Sequence, residues 1–159
     1  MEYLNISNCH QIESFPGGGM PPNLGTIEIS NCEKLLSSKT WVCMDMVTSL
    51  KVQGPCDGIN TFPEEGLLPP YLTSLCLYNL SSLETFDCKG ILHLMSLRAL
   101  YIESCKKLEN IAGETMPVSI IKLSIEGCPL LQKRCHKKDR EIWPKLCHID
   151  GIKIAGRWI

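Results

Sequence analysis

The chain has 159 residues and a formal net charge of -1, from 16 Lys and Arg against 17 Asp and Glu. That length suits one domain or one piece of a larger array, and Gly 12, Pro 10 and 6% aromatic residues exclude collagen and simple disorder. No apolar stretch approaches the roughly 20 residues of a membrane span, no basic n-region precedes an apolar run as in a signal peptide, and ten cysteines raise the question of a disulfide scaffold.

Along the chain one pattern recurs, L-x-x-L-x-L-x-x-(C/N)-x-x-L. It begins with Leu4, Ile6, Cys9, Ile12 and Phe15, then Leu24, Ile27, Ile29, Cys32 and Leu35. The third copy is Val47, Leu50, Val52, then Ile59 and Phe62, with one extra residue after the strand. Leu72, Leu75, Leu77, Leu80, Leu83 and Phe86 form the fourth. Leu97, Leu100, Ile102, Cys105, Leu108 and Ile111 form the fifth, and Ile120, Leu123, Ile125, Cys128 and Leu131 the sixth. The central strand residues Leu4, Ile27, Leu50, Leu75, Leu100 and Leu123 are spaced by 23, 23, 25, 25 and 23. Leucine-rich repeats run from roughly 20 to 29 residues.

Each L-x-L segment alternates apolar and exposed residues, as a strand does. One such strand cannot bury its face alone, so the copies must stack and merge their apolar faces. The expected fold is an α/β leucine-rich-repeat solenoid with a parallel β-sheet on the concave face. Its convex segments should be short, irregular or 3-10, with low helix content. Phe15-Pro16 to Pro21-Pro22 and Phe62-Pro63 to Pro69-Pro70 carry Pro pairs and glycine and predict extended turns. Ile111 to Pro117 is similar. Lys89 to Arg98 and Ser38 to Val47 can each hold one short helical turn. Residues 1–131 then form about six repeats and 132–159 a capping segment. Met1 already sits in the first position of a repeat, with no cap before it, which predicts a carboxy-terminal piece of a longer array.

Cys9, Cys32, Cys105 and Cys128 share one repeat position, where an inward Asn or Cys satisfies turning backbone. Buried reduced thiols are the expectation there, with disulfides or metal as alternatives, and they point to a cytoplasmic or nuclear compartment. Cys76 falls between Leu75 and Leu77 and points outward, as a plain surface thiol or a reactive one. Cys128, Cys135-His136 and Cys147-His148 invite zinc, but their spacings match no compact knuckle.

After Leu131 the periodicity stops. Residues 132–159 hold eight Lys or Arg against three Asp or Glu, while residues 1–131 hold eight against fourteen. The basic cluster Lys133, Arg134, His136, Lys137, Lys138 and Arg140 reads as a solvated face on a cap, or as a contact for phosphate or an acidic partner. It lacks a base-reading motif, which makes nucleic acid an unlikely partner by this reading. Ile149, Ile152, Ile154 and Trp158 predict a last strand closing the solenoid, with Trp143-Pro144 packed beneath.

Phosphate-loop, H-E-x-x-H and G-x-S-x-G motifs are absent. Gly17-Gly18-Gly19 precedes a Pro pair and not a helix. His10, His93, His136 and His148 are scattered, so no enzyme is expected. What remains is the concave surface. Tyr78, Arg98 and Tyr101 are residue types enriched at binding hot spots, with Lys51, Glu103 and Lys122 as charged neighbours. The competing view is that all six are ordinary solvent-facing residues.

The repeats Leu24-x-x-Ile27-x-Ile29-x-x-Cys32-x-x-Leu35 and Leu97-x-x-Leu100-x-Ile102-x-x-Cys105-x-x-Leu108 resemble those of plant intracellular disease-resistance proteins. So does the linker Phe62-Pro63-Glu64-Glu65-Gly66-Leu67-Leu68-Pro69-Pro70. The ending Cys128-Pro129-Leu130-Leu131 through Cys135, Trp143-Pro144-Lys145 and His148-Ile149 is similar to the terminus of the coiled-coil, nucleotide-binding, leucine-rich-repeat class. Ile149-Asp150, where a Pro is common, and the extension Gly156-Arg157-Trp158-Ile159 depart from it. The resemblance implies a non-catalytic recognition and autoregulatory module of an immune receptor. It would sense a pathogen effector, directly or through a guarded host protein, and contact its own nucleotide-binding domain. ADP/ATP would bind in that domain, with no cofactor in this segment and no membrane partner. The alternative is a repeat adaptor or scaffold, such as the substrate-binding half of a ubiquitin ligase.

Overall fold

A computed structural model describes residues 2–15, 20–38, 41 and 43–159. Seven parallel strands form one sheet: β1 (Glu2–Ser7), β2 (Leu24–Ser30), β3 (Ser49–Gln53), β5 (Ser74–Tyr78), β7 (Ala99–Glu103), β9 (Lys122–Glu126) and β10 (Gly151–Ile154). An antiparallel two-residue strand, β11 (Arg157–Trp158), ends it. The register follows the repeat spacing. Leu4 pairs with Ile27, Ile27 with Leu50, Leu50 with Leu75, Leu75 with Leu100, Leu100 with Leu123, and Leu123 with Ile152. Ile27, Leu75, Leu100 and Leu123 are wholly buried, and the alternate residues face outward. This is a leucine-rich-repeat-type solenoid with little helix.

The far side is more regular than the expected irregular turns. β4 (Thr61–Phe62), β6 (Thr85–Asp87) and β8 (Asn110–Ala112) build a second parallel sheet. Phe62 pairs with Phe86 and Phe86 with Ile111. Phe62 and Phe86 are 24 residues apart and Phe86 and Ile111 are 25, close to the 25-residue spacing of Leu50, Leu75 and Leu100, so stacking those strands brings these short segments into line. Among the described residues the first two copies show no such strand. Ile12, placed in the apolar pattern by the sequence, is exposed, and α1 (Glu33–Leu36) follows Cys32 in the second. Pro16 and Gly17 to Gly19 lie outside the described residues, as do 39, 40 and 42 of the Ser38 to Val47 segment. Trp41 there is buried, donates its Nε1–H to the Leu35 carbonyl at 2.9 Å and meets Phe15 edge-on at 4.9 Å. The expected helical turn near Lys89 is a 3-10 turn over Cys88–Ile91. It buries Ile91 and Leu94 but leaves Leu92 and Met95 exposed.

Five of the main strands, β1, β2, β5, β7 and β9, end the same way. Asn8, Asn31, Asn79 and Ser104 have φ between 53° and 58°, and Gly127 has φ 61°. This left-handed conformation suits Asn and Gly and turns the chain off the sheet. Their N–H groups extend the ladder: Asn31 donates to the Gln53 carbonyl at 2.8 Å, and Asn79 to Glu103 at 2.9 Å. The thiol that follows completes the turn. Cys32 Sγ donates to the Ser30 carbonyl at 3.2 Å and accepts from Cys9 N–H at 3.3 Å. Cys105 and Cys128 bond the Glu103 and Glu126 carbonyls at 3.5 and 3.3 Å. In the third copy Cys56 does this work after the inserted residue, reaching the Gln53 carbonyl at 3.5 Å.

All ten cysteines are free thiols. Burial pushes Cys88 up to about 12 and Cys56 and Cys135 up to about 11. A hydrogen bond with Cys128, reinforced by burial, raises Cys105. Thiolate is the reactive form, and Cys43 and Cys147 are the exposed thiols. Iodoacetamide at about pH 8 is therefore expected to modify Cys43 and Cys147 first, with Cys32, Cys88, Cys105 and Cys128 reacting only on unfolding. Mass spectrometry of a labelling time course checks this. Native-state labelling of Cys105 as fast as that of Cys147 would contradict the packing.

After β9 the chain forms α2 (Pro129–His136) and α3 (Trp143–Leu146). Pro129 starts α2, where its missing N–H costs nothing. Leu131, Cys135, Ile142 and Leu146 are buried against the last repeat. α2 and α3 flank the second sheet beyond β8, and Lys145 Nζ donates to the Ile111 carbonyl there. Ile149, Ile152 and Ile154 are buried as expected, but Trp158 is 62% exposed. Ala155 (φ 51°) and Gly156 (φ 76°) reverse the chain into β11. That reversal turns the indole out onto the sheet surface and away from the core.

Candidate recognition face

The open face of the main sheet carries its outward residues in three rows set by the register. The first runs Tyr3, Thr26, Ser49, Ser74, Ala99, Lys122 and Gly151. The second runs Asn5, Glu28, Lys51, Cys76, Tyr101, Ser124 and Lys153. The third runs Ser7, Ser30, Gln53, Tyr78, Glu103 and Glu126. Neighbours within a row sit about 4.8 Å apart. The rows hold these side chains on a rigid core, which lowers the ordering cost of a contact.

Five of the six residues picked from sequence fall into two groups, and Arg98 stands apart. Lys51, Tyr78 and Glu103 lie toward the third row. Glu28, Lys51, Gln53, Cys76 and Tyr78 line a hollow of about 190 Å³. Glu28 stands opposite Lys51, a favourable cross-strand pair. Glu103 stands opposite Glu126, a like-charge pair. Glu126 finds compensation in Lys153 at 4.0 Å and in the Gly156 N–H at 2.9 Å. Cys76 sits half-buried in this hollow, and burial raises its pKa, which favours the plain surface thiol over the reactive one.

Tyr101 and Lys122 form the second group, with a residue that the sequence reading had sent to the core. Lys122 Nζ lies 5.3 Å from the Tyr101 ring centroid and 5.9 Å from that of Trp158. One cation is thus bracketed by two aromatic rings. Gly151 leaves room for the indole, whose edge would lie 3.5 Å from a Cβ there. Ser124, outward by alternation, is only 8% exposed among these larger neighbours. The one signal for Trp158 in the sequence was Gly156, which suits the second position of a tight hairpin turn; Ala155 before it gave none.

Arg98 does not join Tyr78. It precedes β7, and its carbonyl accepts from the Ile121 and Lys122 N–H groups at 2.9 and 3.1 Å. Tyr78 is opposite Glu103 at the other strand end. Five residues at about 3.3 Å each separate the two along the strand direction. Sharing adjacent repeats brought them one strand apart sideways but not lengthwise.

Comparison with known proteins fits this geometry. The chain is 34% identical over 141 residues, 87% of its length, to a "putative disease resistance protein" of Arabidopsis thaliana. This chain is a leucine-rich-repeat relative of a plant disease-resistance protein. It spans about a tenth of the length of that curated relative. No protein-family model matches the leucine-rich-repeat chain, and no solved structure matches it. Among the described residues no three His, Cys, Asp or Glu side chains are grouped to hold a metal ion, and no helix is long and apolar enough to cross a membrane. Cys135, Cys147 and Cys128, weighed above for zinc, instead make separate contacts. Cys128 closes the repeat turn, Cys135 is buried under α2, and Cys147 is exposed and bonds the Pro144 carbonyl at 3.8 Å.

Proposed function

We propose that this chain is the recognition and autoregulatory surface of a plant immune receptor, and that it acts by binding protein without catalysis. The observation that carries the reading is the row-aligned open face, with Tyr78, Tyr101 and Trp158 standing on it. Aromatic residues held rigidly at a surface are the usual centres of protein-binding energy. The likeness to a disease-resistance protein supports a defence role. On this reading the partner is a pathogen effector or a guarded host protein, and the receptor's own nucleotide-binding domain meets the same solenoid in cis. ADP or ATP then belongs to that domain and not to this chain. The receptor would work in the cytoplasm, and in the nucleus where its partner is found there.

The test uses the full-length receptor. Tyr101→Ala with Trp158→Ala, and separately Tyr78→Ala, are expected to lower effector-dependent response by about tenfold or to release autoinhibition, since each hot-spot truncation costs roughly 1–4 kcal/mol. Response and resting activity are read together with protein abundance. Unchanged response and unchanged resting state at normal abundance would remove this face from the function. Recovery of ubiquitin-ligase subunits with the native protein, lost in the same variants, would favour the adaptor reading.

A further inference from the structure

Arg134 anchors α2 beside the second sheet. Its Nε and one Nη bond both oxygens of Asp139, at 3.2 and 3.1 Å, and that Nη also bonds Glu141 at 2.9 Å. The other Nη donates to the Glu109 carbonyl at 3.3 Å and to Asn110 Oδ1 at 3.4 Å. Asp139 and Glu141 are the two acidic residues between positions 132 and 149. One arginine engages both.

The remaining cations of this corner are left without acids. Lys133, Lys137 and Arg140 are exposed, and none has a side-chain hydrogen bond or ion pair among the described residues. Lys138 instead lies 5.6 Å from the Trp143 ring centroid. Lys133 and Lys137 are four residues apart, so their like charges share one face and repel. A helix dipole favours cations in its last turn. That covers Lys133 but not Arg140, which lies beyond the helix. Lys133, Lys137 and Arg140 are three formal positive charges, close together in the chain, that no carboxylate of the described residues pairs.

We propose that this corner docks an acidic peptide segment of a partner protein. Charge complementarity selects an anion, and the surroundings select a peptide. Single-stranded nucleic acid would want free aromatic platforms for its bases, and Trp143 is half-buried and already lies against Lys138. A membrane surface would want an apolar face to bury, and Leu130 is the one large exposed apolar side chain on α2 and α3. Beside the corner lies a hollow of about 600 Å³ whose lining includes Glu84, Glu109 and Glu141 with Lys107. A uniform polyanion running from the corner into it meets carboxylates, whereas a peptide can change sign along its length. The corner shares no residue with the open face, so the proposal does not rest on that reading.

Fluorescence anisotropy of a labelled peptide that runs from a block of glutamates into a short block of lysines, measured against the whole chain, tests this, with a single-stranded oligonucleotide and phosphatidylserine vesicles as the other arms. The peptide is expected to bind best. Its affinity should fall about tenfold between roughly 50 and 200 mM salt, as screening requires. Lys133→Gln with Lys137→Gln and Arg140→Gln should weaken it by about tenfold, and Arg140→Gln alone by about threefold. Lys51→Gln on the open face should leave it unchanged. Unfolding midpoints of the variants confirm that they fold. No binding at low salt, equal affinity in the triple variant, or tighter binding of the oligonucleotide or the vesicles would each overturn the proposal.

Discussion

Gly54→Ala is expected to destabilise the chain by about 3 kcal/mol, near the upper end for overpacking. Gly54 ends β3 where four of the other repeats place Asn or Ser, and its N–H donates to the Tyr78 carbonyl at 2.8 Å. A Cβ there would sit 1.9 Å from the Asn79 carbonyl oxygen and 2.7 Å from its carbon. Both are backbone atoms, so no rotamer change relieves the clash. Asn79 cannot retreat easily either, because its own N–H is bonded to Glu103 at 2.9 Å. The methyl group therefore has to open the seam between β3 and β5. In a solenoid each repeat contacts only its neighbours, so one opened seam weakens both flanks. Urea unfolding followed by circular dichroism measures the loss. A change below about 1 kcal/mol would mean that the backbones do not approach this closely.

Phe86→Ala should cost more, about 3–5 kcal/mol. Phe86 is wholly buried at the centre of β6, between Phe62 on one side and Ile111 on the other. Removing the ring leaves a cavity lined by elements that are already tied into the second sheet, so collapse is restricted. A conservative Phe86→Leu change should recover much of the loss, because it keeps most of the volume. The same denaturant titration distinguishes them. Equal stability of the alanine and leucine variants would argue that the second sheet adds little to the core.

The main sheet was largely legible beforehand, because its cause is local. Ile27, Leu50, Leu75, Leu100 and Leu123 recur at one spacing, alternation makes each segment a strand, and stacking is the one way to bury them all. That reasoning extends to the thiols, since a small apolar donor suits a position beside turning backbone. It failed where a residue's role depends on what approaches it from another repeat. Phe62, Phe86 and Ile111 were recognised as apolar, but their pairing into a sheet needs the stacked neighbours. The candidate surface was legible as a face and not as a pattern of contacts. Tyr78 and Arg98 looked adjacent because repeat number fixes lateral position, while strand register fixes the other coordinate.

At the level of charge and composition, 159 residues and a net charge of -1 single out no class of partner. The periodic leucines by themselves determined the solenoid, the strand register and which residues face outward, because burial of one face obliges the other to meet solvent. Only the tertiary structure decided that Trp158 leaves the core to stack on Lys122, since a hairpin of two positive-φ residues reverses its direction. It alone decided that Arg134 takes up Asp139 and Glu141, because sequence counts charges without saying which ones meet. The near-neutral total thus conceals a corner with three cations that no carboxylate of the described residues pairs, and the geometry of one arginine is the reason.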